Sequence, residues 1–583
     1  MRILLSVGLP AAGVVALCAG VVSSGLLAHV HVPIVKQHAL LVAATILIGL
    51  LARAVFRVPA WLFAGALWLV AHVFFAGPAS VLAALILACG ALAIGSLLVR
   101  SQGPARAPLA LCVGLVLLSA LGGWLLPFPV HYRWSYLVVL VGFALWRRQV
   151  LLGMARESAL AVWSSAQASP WLALVAMGVL GLASLGTWLP TMMYDDMAYH
   201  LGIPWQLRDL GYYRMDAASQ IWALAPWAGD VLYGISDVLA GRESRGSVNL
   251  LWLLATAGLA GRLCGVLGGS VSASWWSIIL FASLPMTVSL ASGMQTEGPS
   301  AAVLLALALA IANLRQEDAR HRLAAIAVLA AGLLAMKTSM VLALFPMGLW
   351  LLLRLRGRLP WTVLPACVLL GLWVCGSSYF YAWWFTGNPV MPLFNAVFQS
   401  PLYGAVNFRD PLYTGLWHPT LPWRFVFDSK RYMEGWPGAA GFLYVGLLGL
   451  VPLALWDRER RAVALVALAS MVLTTIAVQY VRYLHPMLVL AIPALLAAFS
   501  RVSDRRWVGV VCAAPLLLNL AFFSHANWPI RSGAIQMLAE SRGDPRVLFH
   551  AFLGERLVAR EFRREHPDAR VLFAGRASHA EWS

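Results

Sequence analysis

Long apolar runs, separated by short polar segments, make up most of the chain. A helix that crosses a bilayer needs about 20 mainly apolar residues, and the runs lack the strict alternation of a membrane barrel. The pattern therefore predicts an all-α, polytopic transmembrane bundle of about 17 hydrophobic segments. They lie near 3–28, 38–52, 58–76, 79–99, 108–127, 133–147, 171–190, 248–266, 271–292, 297–314, 323–336, 338–354, 360–382, 438–456, 462–480, 483–500 and 507–524.

Composition strengthens this interpretation. Of the 583 residues, 61% are hydrophobic and 11% are charged, whereas soluble domains carry about 25% charged residues. So few charges could not cover a water-exposed surface, so membrane lipid must be the solvent for most of the chain. We expect no soluble globular domain of any size.

The basic residues indicate orientation and not nucleic-acid binding. A net charge of +18 is compatible with nucleic acid only if the cations share one soluble face. Here they form short clusters that close nearly every even-numbered segment, as positive cytoplasmic loops require when the N-terminus is inside. The clusters contain Arg53, Arg57, Arg100, Arg106, Arg147, Arg148, Arg156, Arg315, Arg320, Arg322, Arg354, Arg356, Arg358, Arg458, Arg460, Arg461, Arg501, Arg505 and Arg506.

Three polar regions then face the non-cytoplasmic side: loops 191–247 and 386–437 and the tail 525–583. The first loop holds seven acids against four arginines, which reverses the charge of the chain as a whole. Long ordered loops commonly carry function. We divide the chain into N-terminal helices of open role (1–170), a transmembrane module (171–524) and the tail.

Adjacent carboxylates at Asp195 and Asp196 are the strongest candidates for chemistry. They repel each other unless a cation or a proton lies between them. Tyr199 and His200 follow a turn later, and the histidine could orient a substrate hydroxyl or join both aspartates at a divalent metal. The alternative is an ordinary helix start, where aspartate is favoured as a cap. The segment 198–210 predicts a short helix, either along the membrane interface with Trp205 at headgroup depth or as an ordinary connecting helix.

Three further charged residues fall at predicted outer helix ends. Glu297 is the only acid between Glu243 and Glu317. Lys337, between two apolar half-helices, must reach the interface or meet an anion. Arg482 runs against the positive-inside trend. Two outward cations suit a lipid-linked phosphate, which arginine can bind through two hydrogen bonds.

The run YDDMAYHLGIPWQLRDLG (194–211) resembles the first outer loop of GT-C membrane glycosyltransferases of the broad family 39 group. That group includes protein O-mannosyltransferases and lipid A aminoarabinose transferases. Further similarities follow in order: a glycine-rich segment ending in Lys337-Thr338, TGNPVMP at 386–392, RYLHP at 482–486 and EFRREHPDARVLFAG at 561–575. The resemblance covers roughly 171–575.

The resemblance implies an inverting glycosyltransferase in the bacterial cytoplasmic (inner) membrane, with its site facing the periplasm or cell exterior. The donor would be a polyprenyl-phosphate-linked sugar and the acceptor a glycan, lipid or protein of the envelope. Asp195 would be the general base, and Asp196 would be a second catalytic residue. Lys337 and Arg482 would stabilise the leaving phosphate. Tyr199, His200 and Glu297 would bind substrate. Neither a divalent cation nor the identity of the sugar follows from the sequence.

Two alternatives stay open. A lipid or glycolipid transporter or flippase would perform no chemistry, but the chain has no evident internal repeat and its acids gather in a loop, not at mid-membrane. A degenerate GT-C fold could instead act as an assembly scaffold.

Overall fold

The computed structural model describes residues 4–100, 103–314, 319–355, 361–458, 460–566, 569 and 571. All regular secondary structure within these ranges is helical. The longer helices are Leu9–Ser23, Val32–Phe56, Ala60–Ala76, Pro78–Gly95, Arg106–Leu125, Arg133–Trp146, Arg148–Ala168, Pro170–Ser184, Arg245–Val266, Val271–Ser283, Glu297–Ala312, Ala319–Met336, Val341–Leu355, Leu364–Thr386, Arg461–Ala477, Val481–Val502 and Arg505–Ala521.

The apolar helices indicate a membrane protein, as predicted. Within the described ranges, nine helices are long and apolar enough to cross a bilayer, or up to eleven if each of two bent pairs is one span. Several others, such as Ala60–Ala76 and Glu297–Ala312, are shorter than 18 residues. The predicted count of about 17 spans is therefore not confirmed, because several of the apolar segments form helices that are too short to cross a bilayer.

Two stretches differ from the predicted segments. Residues 148–168, expected to include a cytoplasmic loop, form the helix Arg148–Ala168, bent by 72° from Arg133–Trp146. Arg148, Arg156 and Glu157 interrupt its apolar residues, so a search for unbroken apolar runs overlooks it. The predicted segment 438–456 instead contains three short helical pieces, Leu443–Gly446, Leu448–Leu450 and Val451–Trp456.

Most of the arginine clusters gather at one end of the bundle, where they cap the ends of neighbouring helices. Arg354 donates to the carbonyl of Ala312, and Arg460 donates to that of Leu267. Lysine and arginine favour helix C-termini because their positive charge is attracted to the partial negative charge at that end of the helix. Of the predicted clusters, Arg315, Arg356, Arg358 and the side chain of Arg320 lie outside the described residues.

The opposite end is covered by the first polar loop and by the tail, which pack on each other. The loop contains the helices Gly202–Leu210 and Ala228–Ala240. The tail contributes Trp528–Arg531, Ala534–Glu540, Arg546–Phe552 and Gly554–Glu565. The remainder of the predicted tail, apart from 569 and 571, lies outside the described residues.

A buried arginine joins these two regions. Arg556 is only 2% exposed; it forms an ion pair with Glu243 and donates to the carbonyl of Thr191 at 2.9 Å. The membrane depth of Trp205 stays a prediction, but its ring is buried and Arg556 stacks over it at 5.1 Å. The tail therefore covers the Trp205 ring, which an interfacial helix would place among lipid headgroups.

The helix Val481–Val502 lies at the centre of the bundle, with 89% of its most apolar window buried. It packs against Val271–Ser283, Glu297–Ala312 and Arg461–Ala477. Its first turn carries Arg482, so the core of the protein fixes the position of one of the predicted site residues.

Candidate active site

A second buried arginine shapes the backbone that leads to the paired aspartates. Arg245 donates to the carbonyls of Leu189 at 2.6 Å and Ala291 at 2.9 Å, and to the hydroxyl of Thr191 at 3.1 Å. A guanidinium can make five such bonds in a fixed plane, which satisfies the unpaired carbonyls at helix ends. The segment before Asp195 is therefore held rigidly against the bundle.

Close packing also favours this placement. Gly246 follows Arg245, and a Cβ atom at Gly246 would lie 2.0 Å from the carbonyl oxygen of Thr187. Any larger residue would push the Arg245–Val266 helix away from the chain that precedes the aspartates.

Asp195 begins a chain of alternating charges. Its Oδ2 accepts hydrogen bonds from Nη1 and Nη2 of Arg482, both at 3.2 Å. The Nε of Arg482 lies 3.5 Å from Glu297 Oε1, and Lys337 Nζ donates to the same oxygen at 2.6 Å. Four residues, from the first polar loop and three separate helix ends, thus form one ion-pair network, which we call the outer charge cluster after the predicted orientation of the chain.

Exposure differs along the outer charge cluster. The Asp195 side chain is 31% exposed, whereas that of Glu297 is 3% exposed. Glu297 is therefore the buried anchor that holds both cations, and Asp195 is the member most open to an incoming molecule. A buried acid is retained without large cost only when it is paired in this way.

Aromatic rings surround the two cations. Lys337 Nζ lies 3.4 Å from the centre of the Tyr483 ring, and the Arg482 guanidinium lies 4.9 Å from that of Tyr480. Tyr480 stacks on Tyr413 at 4.1 Å and donates its hydroxyl hydrogen to Glu434. Cation–π contacts stabilise positive charge that is partly removed from water.

Asp196 occupies a different environment. Its side chain is fully buried, Oδ1 accepts the backbone N–H of Met294 at 2.9 Å, and Oδ2 has no hydrogen-bond partner. Burial raises the pKa of this carboxyl to about 7. Although the sequence analysis paired it with Asp195 as a catalytic acid, Asp196 lies outside the outer charge cluster.

His200 pairs with Asp230, an acid of the first loop that was not among the predicted site residues. Its Nδ1 lies 2.9 and 3.0 Å from the two carboxylate oxygens of Asp230. Burial by itself would lower the pKa of the His200 imidazole, but the Asp230 carboxylate raises it above its ordinary value. The Tyr199 ring lies 4.2 Å from the His200 ring, at the border between this pair and the outer charge cluster.

The three metal-ligand candidates face different partners: Asp195 faces Arg482, Asp196 faces a backbone amide and His200 faces Asp230. Within the described ranges, no three histidine, cysteine, aspartate or glutamate residues are grouped as a metal site. The residues present therefore do not fit the divalent site considered in the sequence analysis, and no step is assigned to a metal.

The structure thus brings together Asp195, Glu297, Lys337 and Arg482. The first and last of them, Asp195 and Arg482, are 287 residues apart in the chain. It adds residues that sequence reasoning missed, namely Glu434, Tyr413, Tyr480 and Arg245. Glu434 lies in the second polar loop, so the acids of that loop were the sequence feature that could have identified it as a site residue.

Comparison of the chain with protein-family models, curated proteins and solved structures finds no match.

Proposed function

We propose that the protein is a membrane glycosyltransferase that transfers a sugar from a polyprenyl-phosphate donor to an envelope acceptor. The observation that supports it is the outer charge cluster, in which a partly exposed carboxylate, Asp195, contacts Arg482, and Arg482 and Lys337 form a cation pair suited to phosphate. The resemblance of the first loop to GT-C enzymes supplies the reaction class. The proposed location is the outer face of the cytoplasmic membrane, on the side opposite the arginine clusters.

The donor phosphate would bind between Lys337 and Arg482. Lys337 Nζ uses one of its three donors on Glu297, and each Nη atom of Arg482 uses one of its two N–H donors on Asp195. Both cations therefore keep donors for the phosphate oxygens. Glu297 keeps the cations in position before the donor arrives and limits their mutual repulsion.

Binding of the phosphate would also release the base. In the structure both Nη atoms of Arg482 contact Asp195 Oδ2, so this carboxylate oxygen is occupied before the donor binds. When the phosphate takes up these donors, Asp195 Oδ2 becomes free to accept a hydrogen bond from the acceptor hydroxyl. Base activation is thus coupled to the presence of the donor.

In the transfer step the acceptor hydroxyl oxygen attacks the anomeric carbon from the face opposite the phosphate. A new carbon–oxygen bond forms, the bond between that carbon and the phosphate oxygen breaks, and the acceptor proton moves to Asp195. The electron pair leaves with the polyprenyl phosphate, whose negative charge Lys337 and Arg482 stabilise. A single displacement inverts the anomeric configuration.

Other residues would support the substrates without reacting. Tyr199 lies at the edge of the outer charge cluster and could pack against a sugar ring. His200 and Asp230 fix the backbone that follows Asp195, and Asp196 fixes the segment around Met294. These are positioning roles, assigned from the hydrogen bonds above.

The test uses purified full-length protein with polyprenyl-phosphate sugars labelled in the sugar, in the presence of a delipidated envelope extract. We expect label to move from the lipid to the acceptor, with polyprenyl phosphate as the second product. A protein that moves labelled lipid between leaflets of a proteoliposome and leaves the sugar attached would be a flippase, and the proposal would then be wrong.

A further inference from the structure

A cavity of about 880 Å³ lies at the arginine-rich end of the bundle, opposite the outer charge cluster. The same two helices border both features. Glu297 begins the helix Glu297–Ala312, of which Ala310 lines the cavity, and Lys337 follows the helix Ala319–Met336, of which Arg322 lines it. Thirteen residues of helix separate Glu297 from Ala310, which is about 20 Å. The two sites therefore share no residue.

The walls of the cavity are apolar. Val162, Val266 and Val271 line it and are 42%, 43% and 42% exposed. Bare valine surface facing an open volume in a membrane protein is covered either by lipid or by another apolar molecule.

Glycines keep the cavity open on one side. Gly258, Gly261 and Gly265 of the helix Arg245–Val266 face it, and a Cβ atom at Gly258 would have no atom within 4 Å. The space beside Gly258 could therefore hold a hydrocarbon chain against the helix backbone, as small residues allow in membrane helices.

Arginines line the end of the cavity that lies at the helix ends. Arg100, Arg262 and Arg322 belong to its lining, and no described lining residue is acidic. Arg322 donates to the carbonyl of Asn313 at 2.8 Å. Arg262 is half-buried and has no hydrogen-bond or ion-pair partner among the described residues. A cation in this position calls for an anion, since burial without one is costly.

Polarity changes along the cavity. On the helix Ala319–Met336 the lining runs from Arg322 through Ala325 to Leu329, a distance of about 10 Å. On the helix Arg245–Val266, Gly258 lies one turn deeper than Arg262. Arg262 and Arg322 therefore lie nearer the helix ends than Gly258 and Leu329, and Val266 and Val271 also border that end. Cations above a deeper apolar region match a molecule with an anionic head and a hydrocarbon chain.

We infer that this cavity binds a membrane phospholipid with an anionic headgroup, with its phosphate at Arg262 and one chain beside Gly258. Drug-sized ligands occupy pockets of about 300–1,000 Å³, so the volume suits a headgroup and the upper part of a chain. The remainder of the lipid would extend into the bilayer. This site is independent of the proposed transferase site.

Native mass spectrometry of the detergent-purified protein, titrated with phosphatidylglycerol or phosphatidylcholine, tests the inference. We expect phosphatidylglycerol to bind at least tenfold more tightly. Arg262→Gln should remove most of that preference, whereas Arg505→Gln, an exposed arginine at the same end of the bundle, should leave it unchanged. Equal binding of the two lipids, or equal effects of the two substitutions, would overturn the inference.

A second pair of variants tests the position of the chain. Gly258→Phe should fill the open space and abolish tight binding of phosphatidylglycerol, whereas Gly258→Ala should retain it. Inorganic phosphate at 100-fold excess over the lipid should not displace it; displacement would show that the site recognises a free anion and would overturn the choice of lipid. The thermal unfolding temperature of each variant, measured without added lipid, identifies any variant that fails to fold. If Arg262→Gln fails to fold, Arg262→Lys, which keeps the charge, replaces it. We expect Arg262→Lys to show a preference for phosphatidylglycerol between those of the wild type and a variant without the charge.

Discussion

Asp195 and Asp196 are consecutive residues, but only Asp195 contacts Arg482, while the Asp196 carboxylate is sealed from solvent and accepts the backbone N–H of Met294. The repulsion expected between adjacent carboxylates is thus resolved in two ways. A neighbouring cation balances one of them, and burial favours the protonated form of the other. The two positions should respond differently to substitution.

Asp195→Asn should abolish sugar transfer and leave the protein folded. Asparagine can still accept a hydrogen bond from Arg482 but cannot take up the acceptor proton, and loss of a general base commonly lowers rates by about 10²–10⁴-fold. Transfer of labelled sugar by the purified variant measures the effect. Asp209→Asn, at an exposed acid of the same loop paired with Arg208, is the matched control. An Asp195→Asn protein with full activity would contradict the mechanism.

Asp196→Asn should change how stability depends on pH. The pKa of the folded Asp196 is raised to about 7 by burial, above its value of about 3.9 in an unfolded chain. The folded state therefore binds this proton more tightly, so its stabilisation is complete below about pH 4 and is lost as pH rises towards 7.

Thermal unfolding of the wild type and of Asp196→Asn between pH 4 and 8 measures this difference. The variant, which stays neutral, should gain stability relative to the wild type as pH rises, and the gain should level off above pH 7. A constant difference across the range would mean that Asp196 keeps its ordinary pKa.

Glu297→Gln should destabilise the protein more than Lys337→Gln does. Removal of the buried carboxylate leaves Lys337 without its anion and Arg482 with Asp195 alone, and breaking a buried ion pair from one side costs about 3–5 kcal/mol. Removal of Lys337 leaves Glu297 near Arg482. The double variant should recover part of the loss, which a thermal-unfolding cycle of the four proteins measures. Additive effects would show that the contact between Glu297 and Lys337 contributes little.

Arg556→Gln should release the tail from the first outer loop. The substitution leaves Glu243 buried without its cation; although burial disfavours its charge, Arg556 lowers the pKa of Glu243 to about 2 in the intact structure. Limited trypsin digestion, followed by mass spectrometry, should show faster cleavage within 528–566 than in the wild type. Arg564→Gln, at an exposed arginine of the same helix, should have no such effect, and equal digestion of both variants would contradict this role for Arg556.

The helical architecture was predictable because the apolar runs are long and most of the polar segments between them are short. The starts of helices such as Arg106–Leu125 and Val481–Val502 fall within two residues of the predicted ones. Prediction failed where hydrophobicity is not the deciding feature. Charged residues interrupt the apolar run of Arg148–Ala168. In the segment 438–456 helical structure begins only at Leu443, after Gly438 and Gly441, which are both in the left-handed region with φ of 85° and 76°.

Among the site residues, sequence reasoning selected Asp195, Glu297, Lys337 and Arg482 because each is a charge at an outer helix end. It could not show that Glu297 joins the two cations, since this depends on how three helices pack. Asp230 was not selected because its role lies in a contact with His200 across 30 residues. The contact of the tail with Trp205 was not predictable because lipid and a docked tail present similar surroundings to an amphipathic helix.

The pairing of Glu243 with Arg556 has a consequence for the order of events during biosynthesis. The two residues are 313 positions apart, and a ribosome that adds roughly 5–20 residues per second needs roughly 16–63 s to cover that interval. Throughout this time the nascent first loop lacks its buried counter-charge and the ring of Trp205 lacks its cover. The loop must therefore be held by its own helices, or by the insertion machinery, until the last part of the chain emerges.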